Sequence, residues 1–260
     1  MAKRKTEDHT RNKPRAQERG LLWLYGTHAV AAALRNPRRR VRRILALPEA
    51  AAEARAAGAA GVTITESDKA GIERHLPRGA VHQGIAAEVE ALPALGIEDA
   101  VDMAQDRPHT LVVVLDQVTD PQNVGAVLRS ATAFGATAVV VPENGSPEAG
   151  GALAKAAAGA LETMPLIRVV NLKRALETLK AGGFWCLGLA GEATGDIAAH
   201  DMRGRTALVL GAEGEGMRRL TRETCDLLVR IPILPEMESL NVSAAAAVSL
   251  YEWRRQTGAG

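Results

Sequence analysis

Apolar residues are distributed in two regimes along this 260-residue chain. Up to Val89 they form short clusters broken by charges. The run from Val30 to Leu34 within LWLYGTHAVAAALRNP predicts a helix that ends before Pro37. Arg43–Leu47 reads as a strand, Glu49–Ala60 as a helix closed by Gly61, and Val62–Thr65 as a second strand. Ser67–His75 reads as a helix, and HQGIAAEVE closes the module with a strand over Gly84–Val89. Such alternation predicts a small α/β sandwich. From His109 the pattern changes. LVVVLD, AVVVP, FWCLGLA, ALVLG and LLVRIPI are almost continuously apolar and separated by helical stretches, as expected of strands buried on both faces of a mostly parallel sheet. The expected organisation is a disordered tail over 1–20, an α/β module over 21–92, a linker with a short helix over 93–108, and a larger α/β domain over 109–260.

Composition narrows the function classes. Apolar residues make up 47% of the chain, enough for packed cores. No apolar run approaches the ~18–20 residues of a membrane span, and no secretory signal is expected. Glu7, Asp8 and Glu18 interrupt the basic N-terminus and argue against a transit peptide. Cys186 and Cys225 lie far apart with no His or Cys at metal spacing, so neither a disulfide framework nor a metal site is expected, and a reducing cytoplasm fits. Charge is informative too. The net +2 conceals an N-terminal surplus, because thirteen lysines and arginines stand against three acids through Arg43. Lys3–Arg19 reads equally as a solvated tail. Arg38, Arg39, Arg40, Arg42 and Arg43 fall between a helix and a strand, where a folded surface would present them to a polyanion, most naturally nucleic acid.

Three clusters carry candidate chemistry. In LDQVTDPQNVGAVLRSATAFGA, Asp116–Pro121 reads as a loop, Asn123 as the N-cap of a helix running to Phe134, and Gly135 as its stop. Val124, Val127, Ala131 and Phe134 form the expected buried stripe. Gly125 and Arg129 share another face. Helical side chains lean toward the N-terminus, so Arg129 is expected to cross bare Gly125 and bring its guanidinium near Asn123, at the sheet edge where open α/β sheets bind ligands. A surface arginine beside an incidental glycine is the alternative. In ALVLGAEGEGMRR, Gly211, Gly214 and Gly216 form a loop that could wrap a ligand, with a carboxylate at Glu213. It is not a dinucleotide fingerprint, since Arg219 stands at the sixth position, nor a P-loop. In IPILPEMESLNVSAAAAVSLYE, Ser239, Asn241 and Ser243 crowd a strand-to-helix junction held by Pro232 and Pro235. A cap needs one such residue, so three read as a binding surface or, more blandly, as an over-capped helix.

Taken in order, these clusters resemble the SpoU-type (TrmH-like) RNA 2′-O-ribose methyltransferases of the SPOUT class. The resemblance covers nearly all of Leu111–Trp253 and rests on N-x-G-x-x-x-R at Asn123–Arg129, L-G-x-E-G-x-G at Leu210–Gly216 and the S-L-N-V-S run ending at Ser243. LYGTHAV at Leu24–Val30 and HQGIAAEV at His82–Val89 resemble the family's substrate-binding domain, itself similar to ribosomal proteins that grip folded RNA. The arrangement is closest to members that methylate a guanosine ribose in 23S rRNA.

That resemblance implies a trefoil-knotted C-terminal domain and S-adenosylmethionine as cofactor, held by Leu189, Leu210, Gly211, Gly216, Ile231, Leu240 and Ser243. It implies a homodimer packed through Ala244–Trp253, with Arg129 reaching the partner's site. Arg129 would orient the ribose hydroxyl with the help of an RNA phosphate, since a guanidinium stays protonated. Asn123, Ser239 and Asn241 would fix the geometry, and Glu213 would organise Asn123 and the loop. His28 and His82 lie in the first module, where contact with RNA or a structural role is expected. Ala157 departs from the polar residue frequent in relatives. Two other readings stay open: the same reaction on tRNA, and a non-catalytic RNA-binding assembly factor with the same fold. A nicotinamide oxidoreductase is excluded for want of its fingerprint.

Overall fold

A computed structural model of the chain describes residues 20–258 apart from residues 57 and 60, so the tail expected over 1–20 lies outside the described residues except for Gly20. Two sheets organise the described chain. Its first part runs β1 (Leu21–Tyr25), α1 (Thr27–Arg35), β2 (Val41–Ala46), α2 (Pro48–Ala56), β3 (Thr63–Glu66), α3 (Lys69–Glu73) and β4 (Ile85–Glu90). These strands form a sheet in the order β1-β4-β2-β3, antiparallel except for the β2–β3 pair. β1 was not foreseen. LLWLY and the following THAVAAALR read as one apolar stretch, but the chain turns at Gly26 and the two halves become a strand and a helix. The helix expected over Ser67–His75 contracts to Lys69–Glu73, because Asp68 caps it by accepting the Gly71 N–H at 2.8 Å. The one expected over Glu49–Ala60 ends at Ala56, and residue 60 lies outside the described residues.

After α4 (Ile97–Asp102) the chain builds a seven-stranded sheet from β5 (Thr110–Leu115), α5 (Pro121–Phe134), β6 (Ala138–Pro142), α6 (Gly151–Ala156), a 3-10 turn (Ala160–Glu162), β7 (Leu166–Val169), α7 (Leu172–Ala181), β8 (Trp185–Leu189), β9 (Gly195–Asp196), β10 (Arg205–Leu210), α8 (Arg219–Thr224), β11 (Leu227–Arg230) and α9 (Val242–Thr257). The order is β7-β6-β5-β10-β8-β11-β9, and every neighbouring pair is parallel. All six residues of β5 are buried, as both faces carry helices. The strands missing from the sequence-based expectation, β7 and β9, are the two edges, where one side of the ladder is open and a continuous apolar run is not required.

α5 begins three residues before the expected start. Asp120 is the cap, accepting the Gln122 N–H at 2.9 Å, and Pro121 takes the first helical position, where its missing N–H costs nothing. Asn123 is therefore inside the first turn, with its side chain released from capping. Val124, Val127 and Ala131 are buried as expected, Leu128 joins them, and Phe134 is half-buried.

Gly125 has a different reason from the one expected. A Cβ there would stand 2.5 Å from the Ala156 Cβ and 2.8 Å from the Ala157 N, so the bare backbone lets α5 press against the end of α6. Arg129 plays no part in that contact. Ala157, where a polar residue is frequent in relatives, is fully buried in this joint, and a polar side chain there would need a partner. One apolar core runs through the joint from Leu24 and Val30 to Leu153 and Leu161, tying the two sheets together. Among the described residues no helix is long and apolar enough to cross a membrane.

Gly125→Ala tests the joint. In an exposed helix the change would stabilise by roughly 0.5–1 kcal/mol. Here overpacking should outweigh that gain and lower the urea unfolding free energy by about 1–3 kcal/mol. A rise in stability would contradict the close approach.

Candidate active site

β10, β8 and β11 are neighbours in the sheet, and their C-terminal ends release three loops into one place. The loop after β8 carries Ala190, Gly191 and Glu192, that after β10 is Gly211–Met217, and that after β11 runs from Ile231 to Leu240. Between them lies a cavity of about 590 Å³. Leu189, Leu210, Ile231 and Leu240 supply apolar lining, and Gly211, Gly216, Glu213 and Ser239 complete it. Its position, beyond the carboxyl ends of parallel strands, is where such sheets bind ligands.

The glycine loop is a closed turn rather than a slack tether. Ala212 N donates to Gly216 O at 3.1 Å and Gly216 N donates back to Ala212 O at 2.9 Å. A side chain on Gly211 would overlap the backbone of Gly216 and Met217, so only glycine lets the loop fold back on its own strand. Asp116, which sequence reasoning missed, anchors the far end of this loop. It directly follows β5, is wholly buried, and its carboxylate accepts the Arg218 backbone N–H at 2.9 Å and Nε at 2.7 Å. An acid placed immediately after a six-residue apolar strand was the available signal.

Asn241 joins the parts. It caps α9, its Oδ1 accepting the Ser243 N–H at 2.9 Å and the Ser243 hydroxyl at 2.6 Å. That assignment turns its amide nitrogen outward, where it donates to Asn123 Oδ1 at 3.1 Å and Glu213 Oε2 at 3.3 Å. Asn123, Glu213, Asn241 and Ser243 are thus brought together at the cavity. Glu213 meets Asn241 rather than Asn123. Ser243 is held in the cap and is not among the lining residues, and both its donors are directed at Asn241. Arg129 is exposed and outside this network within one chain; it lies six residues further along α5 than Asn123, and it has no hydrogen bond or ion pair among the described residues. No hydrogen bond joins its guanidinium to Asn123 within a single copy.

Charge around the cavity is mixed. Arg222 and Arg230 face Glu192, Glu213, Glu215 and Glu238. The hydrogen bond from Arg222, reinforced by one from the backbone, holds the Glu192 carboxyl below its ordinary range. Cys225 lies near this region and Cys186 on β8 behind it. Burial pushes their thiols up to about 11 and about 12, so both stay protonated at neutral pH and neither offers a thiolate nucleophile. Among the described residues no group of three or more His, Cys, Asp and Glu side chains could hold a metal.

The arginine cluster divides. Arg38, Arg40 and Arg42 are exposed, and the last two border a groove of about 630 Å³ with Leu21, Glu88 and Glu90. Arg43 pairs with Glu88 at 2.9 Å and lies over Trp23, 5.3 Å from the ring centre. Arg39 was expected on the surface and is not: its side chain is 2% exposed and bound to Glu162 at 2.7 Å. A buried guanidinium whose three nitrogens all donate within the protein is not presented to a polyanion, so Arg39 leaves the set of RNA contacts. His28 is exposed, whereas His82 is buried and accepts the Gly84 N–H at 3.2 Å, a structural role.

Residues 110–251 match the SpoU rRNA Methylase family, and residues 23–95 match the RNA 2′-O ribose methyltransferase substrate binding family. The 23S rRNA (guanosine-2′-O-)-methyltransferase RlmB of Ralstonia nicotianae is 46% identical over 247 residues, covering 90% of this chain and 95% of that protein. The RlmB of Pseudomonas syringae is 42% identical over 250 residues, 91% of this chain and 96% of that protein. Among solved structures, the SpoU methyltransferase AviRb from Streptomyces viridochromogenes in complex with AdoMet is similar with a TM-score of 0.77 and 25% identity, covering 93% of this chain and 92% of that one.

The double role of Asn241 can be separated by substitution. Asn241→Ala removes the cap and should cost about 1 kcal/mol in urea unfolding. Asn241→Ser keeps a capping oxygen and loses the amide donors to Asn123 and Glu213, so its stability should stay within about 0.5 kcal/mol of wild type. Equal losses in both variants would show that the cap is not what Asn241 contributes to stability.

Proposed function

This chain belongs to the SpoU rRNA methylase family, and we propose on that footing that it transfers a methyl group from S-adenosylmethionine to a ribose 2′-hydroxyl of a guanosine in 23S rRNA. The observation that carries the reading is the meeting of Asn123, Glu213 and Asn241 at the cavity formed by the loops after β8, β10 and β11. The two RlmB relatives, matched over nine-tenths of the chain, support the rRNA target.

The cavity suits the methyl donor. S-adenosylmethionine supplies an electrophilic methyl on a cationic sulfonium, and four lining carboxylates face two guanidiniums here. Leu189, Leu210, Ile231 and Leu240 offer an apolar seat for a purine, and the folded-back glycine loop presents backbone groups at close range. The chain's own work is positioning, which can contribute roughly 7–11 kcal/mol to a reaction between two bound partners. Asn241, locked by the α9 cap, holds Asn123 and Glu213 beside the cavity; Ser239 stands exposed on the lining, free to meet the ribose. The knotted threading of the last strand and helix belongs to the same reading.

Arg129 enters from a second copy. Ala244, Val248 and Tyr251 form an exposed stripe at i, i+4 and i+7 on α9, with Val248 42% and Tyr251 58% exposed, and Tyr251 meets Phe134 of α5 edge-on at 6.1 Å. Two such faces packed together form a homodimer in which the Arg129 of one copy serves the site of the other, binding the RNA phosphate and orienting the hydroxyl. Arg38, Arg40, Arg42, Arg43 and His28 hold the RNA beyond the reacting ribose. The enzyme works in the cytoplasm, where its ribosomal substrate is made.

Transfer of radiolabelled methyl from S-adenosylmethionine to total RNA tests the reading. Label in 23S rRNA, located at one guanosine by primer extension, is the expected outcome. Label in tRNA would overturn the target, and no label in either naked or assembling RNA would favour a non-catalytic RNA binder. Arg129→Lys should keep most RNA affinity and lose most turnover, because a point charge replaces a planar fork; wild-type rates in that variant would remove Arg129 from the chemistry.

A further inference from the structure

The buried pair between Arg39 and Glu162 joins the two sheets at one point. Glu162 ends the 3-10 turn after α6, and its side chain is 3% exposed. Arg39 Nε donates to both of its carboxylate oxygens at 3.1 and 3.0 Å, and Nη2 donates to Oε1 at 2.7 Å. The remaining arm, Nη1, donates to the Glu90 carbonyl at 2.8 Å, at the end of β4. Asn36, just past α1, donates to Glu162 Oε2 at 2.8 Å and to its carbonyl at 3.0 Å. Two residues of the RNA-gripping module, Asn36 and Arg39, thus converge on one carboxylate of the other, and Arg39 ties the end of β4 to the same point.

A buried ion pair is a poor source of stability, since desolvating both charges offsets most of their attraction. What a bidentate, fully hydrogen-bonded pair provides is orientation. The surroundings share that property. A side chain on Gly151, at the start of α6, would collide with the Trp23 carbonyl and the Tyr25 ring, so β1 lies directly on α6. On its far side α6 meets α5 at Gly125, in the same helix that carries Asn123 and Arg129. Residues 151–162 are therefore a wedge between the sheet that holds RNA and the helix that serves the reaction.

We propose that Arg39 and Glu162 are positioning residues: they lock the RNA-gripping sheet onto this wedge and so set the register between the RNA grip and the site of methyl transfer. The proposal rests on the methyltransferase reading. It assigns to Arg39, within the arginine cluster, a task opposite to that of its neighbours. Arg38, Arg40 and Arg42 bind RNA, and Arg39 fixes where that RNA is delivered.

The test uses the full chain, S-adenosylmethionine and a 23S rRNA transcript. The double variant Arg39→Met/Glu162→Leu replaces the pair with apolar side chains and leaves no buried charge unpaired. We expect cofactor affinity by calorimetry and RNA affinity by filter binding to change little. Single-turnover methyl transfer should fall about 10-fold to 100-fold, the scale that a misplacement of about 1 Å produces. Glu162→Asp, which keeps both carboxylate oxygens and the charge that pairs with Arg39, should recover part of the rate. Energy transfer between labels at Glu49 and Lys173 should give a narrow distance distribution in wild type and a broad one in the double variant. Wild-type turnover with an unbroadened distribution would overturn the proposal. If the double variant fails to bind cofactor, Arg39→Lys takes its place: a slower reaction at intact cofactor affinity supports the pair, and an unchanged rate overturns it. A wild-type protein that methylates no RNA would sink the functional reading instead, and the energy-transfer distributions would then decide the pair alone.

Discussion

Asn241 has four hydrogen-bonding positions in its side chain, and all four are occupied: two by Ser243, one by Asn123 and one by Glu213. Its partners lie 118 and 28 residues away in the chain. Capping a long helix fixes the oxygen end of the amide, and the nitrogen end can then only face the glycine loop and the start of α5. The helix that requires a cap thereby orients the groups at the cavity. Several other features serve to keep these three segments within reach: Asp120 and Pro121 starting α5 early enough to free Asn123, Asp116 holding Arg218, and the bare Gly211 that lets the loop close.

The molecule uses polar contacts according to where they lie. Exposed pairs such as Lys173–Glu177 and Arg219–Glu223 sit on helix surfaces and contribute only a few tenths of a kcal/mol each. Arg39–Glu162, buried on both sides, and Asp116–Arg218, buried at its carboxylate, stand where two parts of the fold must hold a fixed relation, one between sheets and one between β5 and the glycine loop. Apolar packing provides the bulk of the stability, and β5 and β6 are wholly buried. Bare backbone at Gly125 and Gly211 brings segments closer than any side chain would allow. Function rests on the joints so made, not on the number of contacts.

How much the sequence reveals depends on how local each determinant is. The five central strands of the large sheet were legible because burial on both faces leaves an unbroken apolar run. The edge strands β7 and β9 were not, since an edge needs no such run, and β1 was hidden because its apolar residues merge with those of α1. Ser239, Asn241 and Ser243 stood out as polar residues crowded into a junction where a single cap would suffice, Asn123 stood out as a helix cap, and Glu213 as a carboxylate in a glycine loop. Gly125 was noticed for the right cost and the wrong reason, because its neighbour Ala156 is set by tertiary packing. Arg39 was misread with its neighbours, since a charge count cannot tell which guanidinium of a cluster turns inward to meet a glutamate 123 residues away. The resemblance supplied what periodicity could not, the cofactor and the expectation of a partner subunit.

The central claim is that the loops after β8, β10 and β11, the last two joined through Asn241, form the seat of the methyl donor. Amide hydrogen exchange, measured with and without S-adenosylmethionine, tests it most directly. The account predicts slowed exchange in residues 189–192, 210–217 and 231–243, and little change in the four-stranded sheet. Unchanged exchange in those loops at saturating S-adenosylmethionine, or protection confined to another part of the molecule, would contradict it.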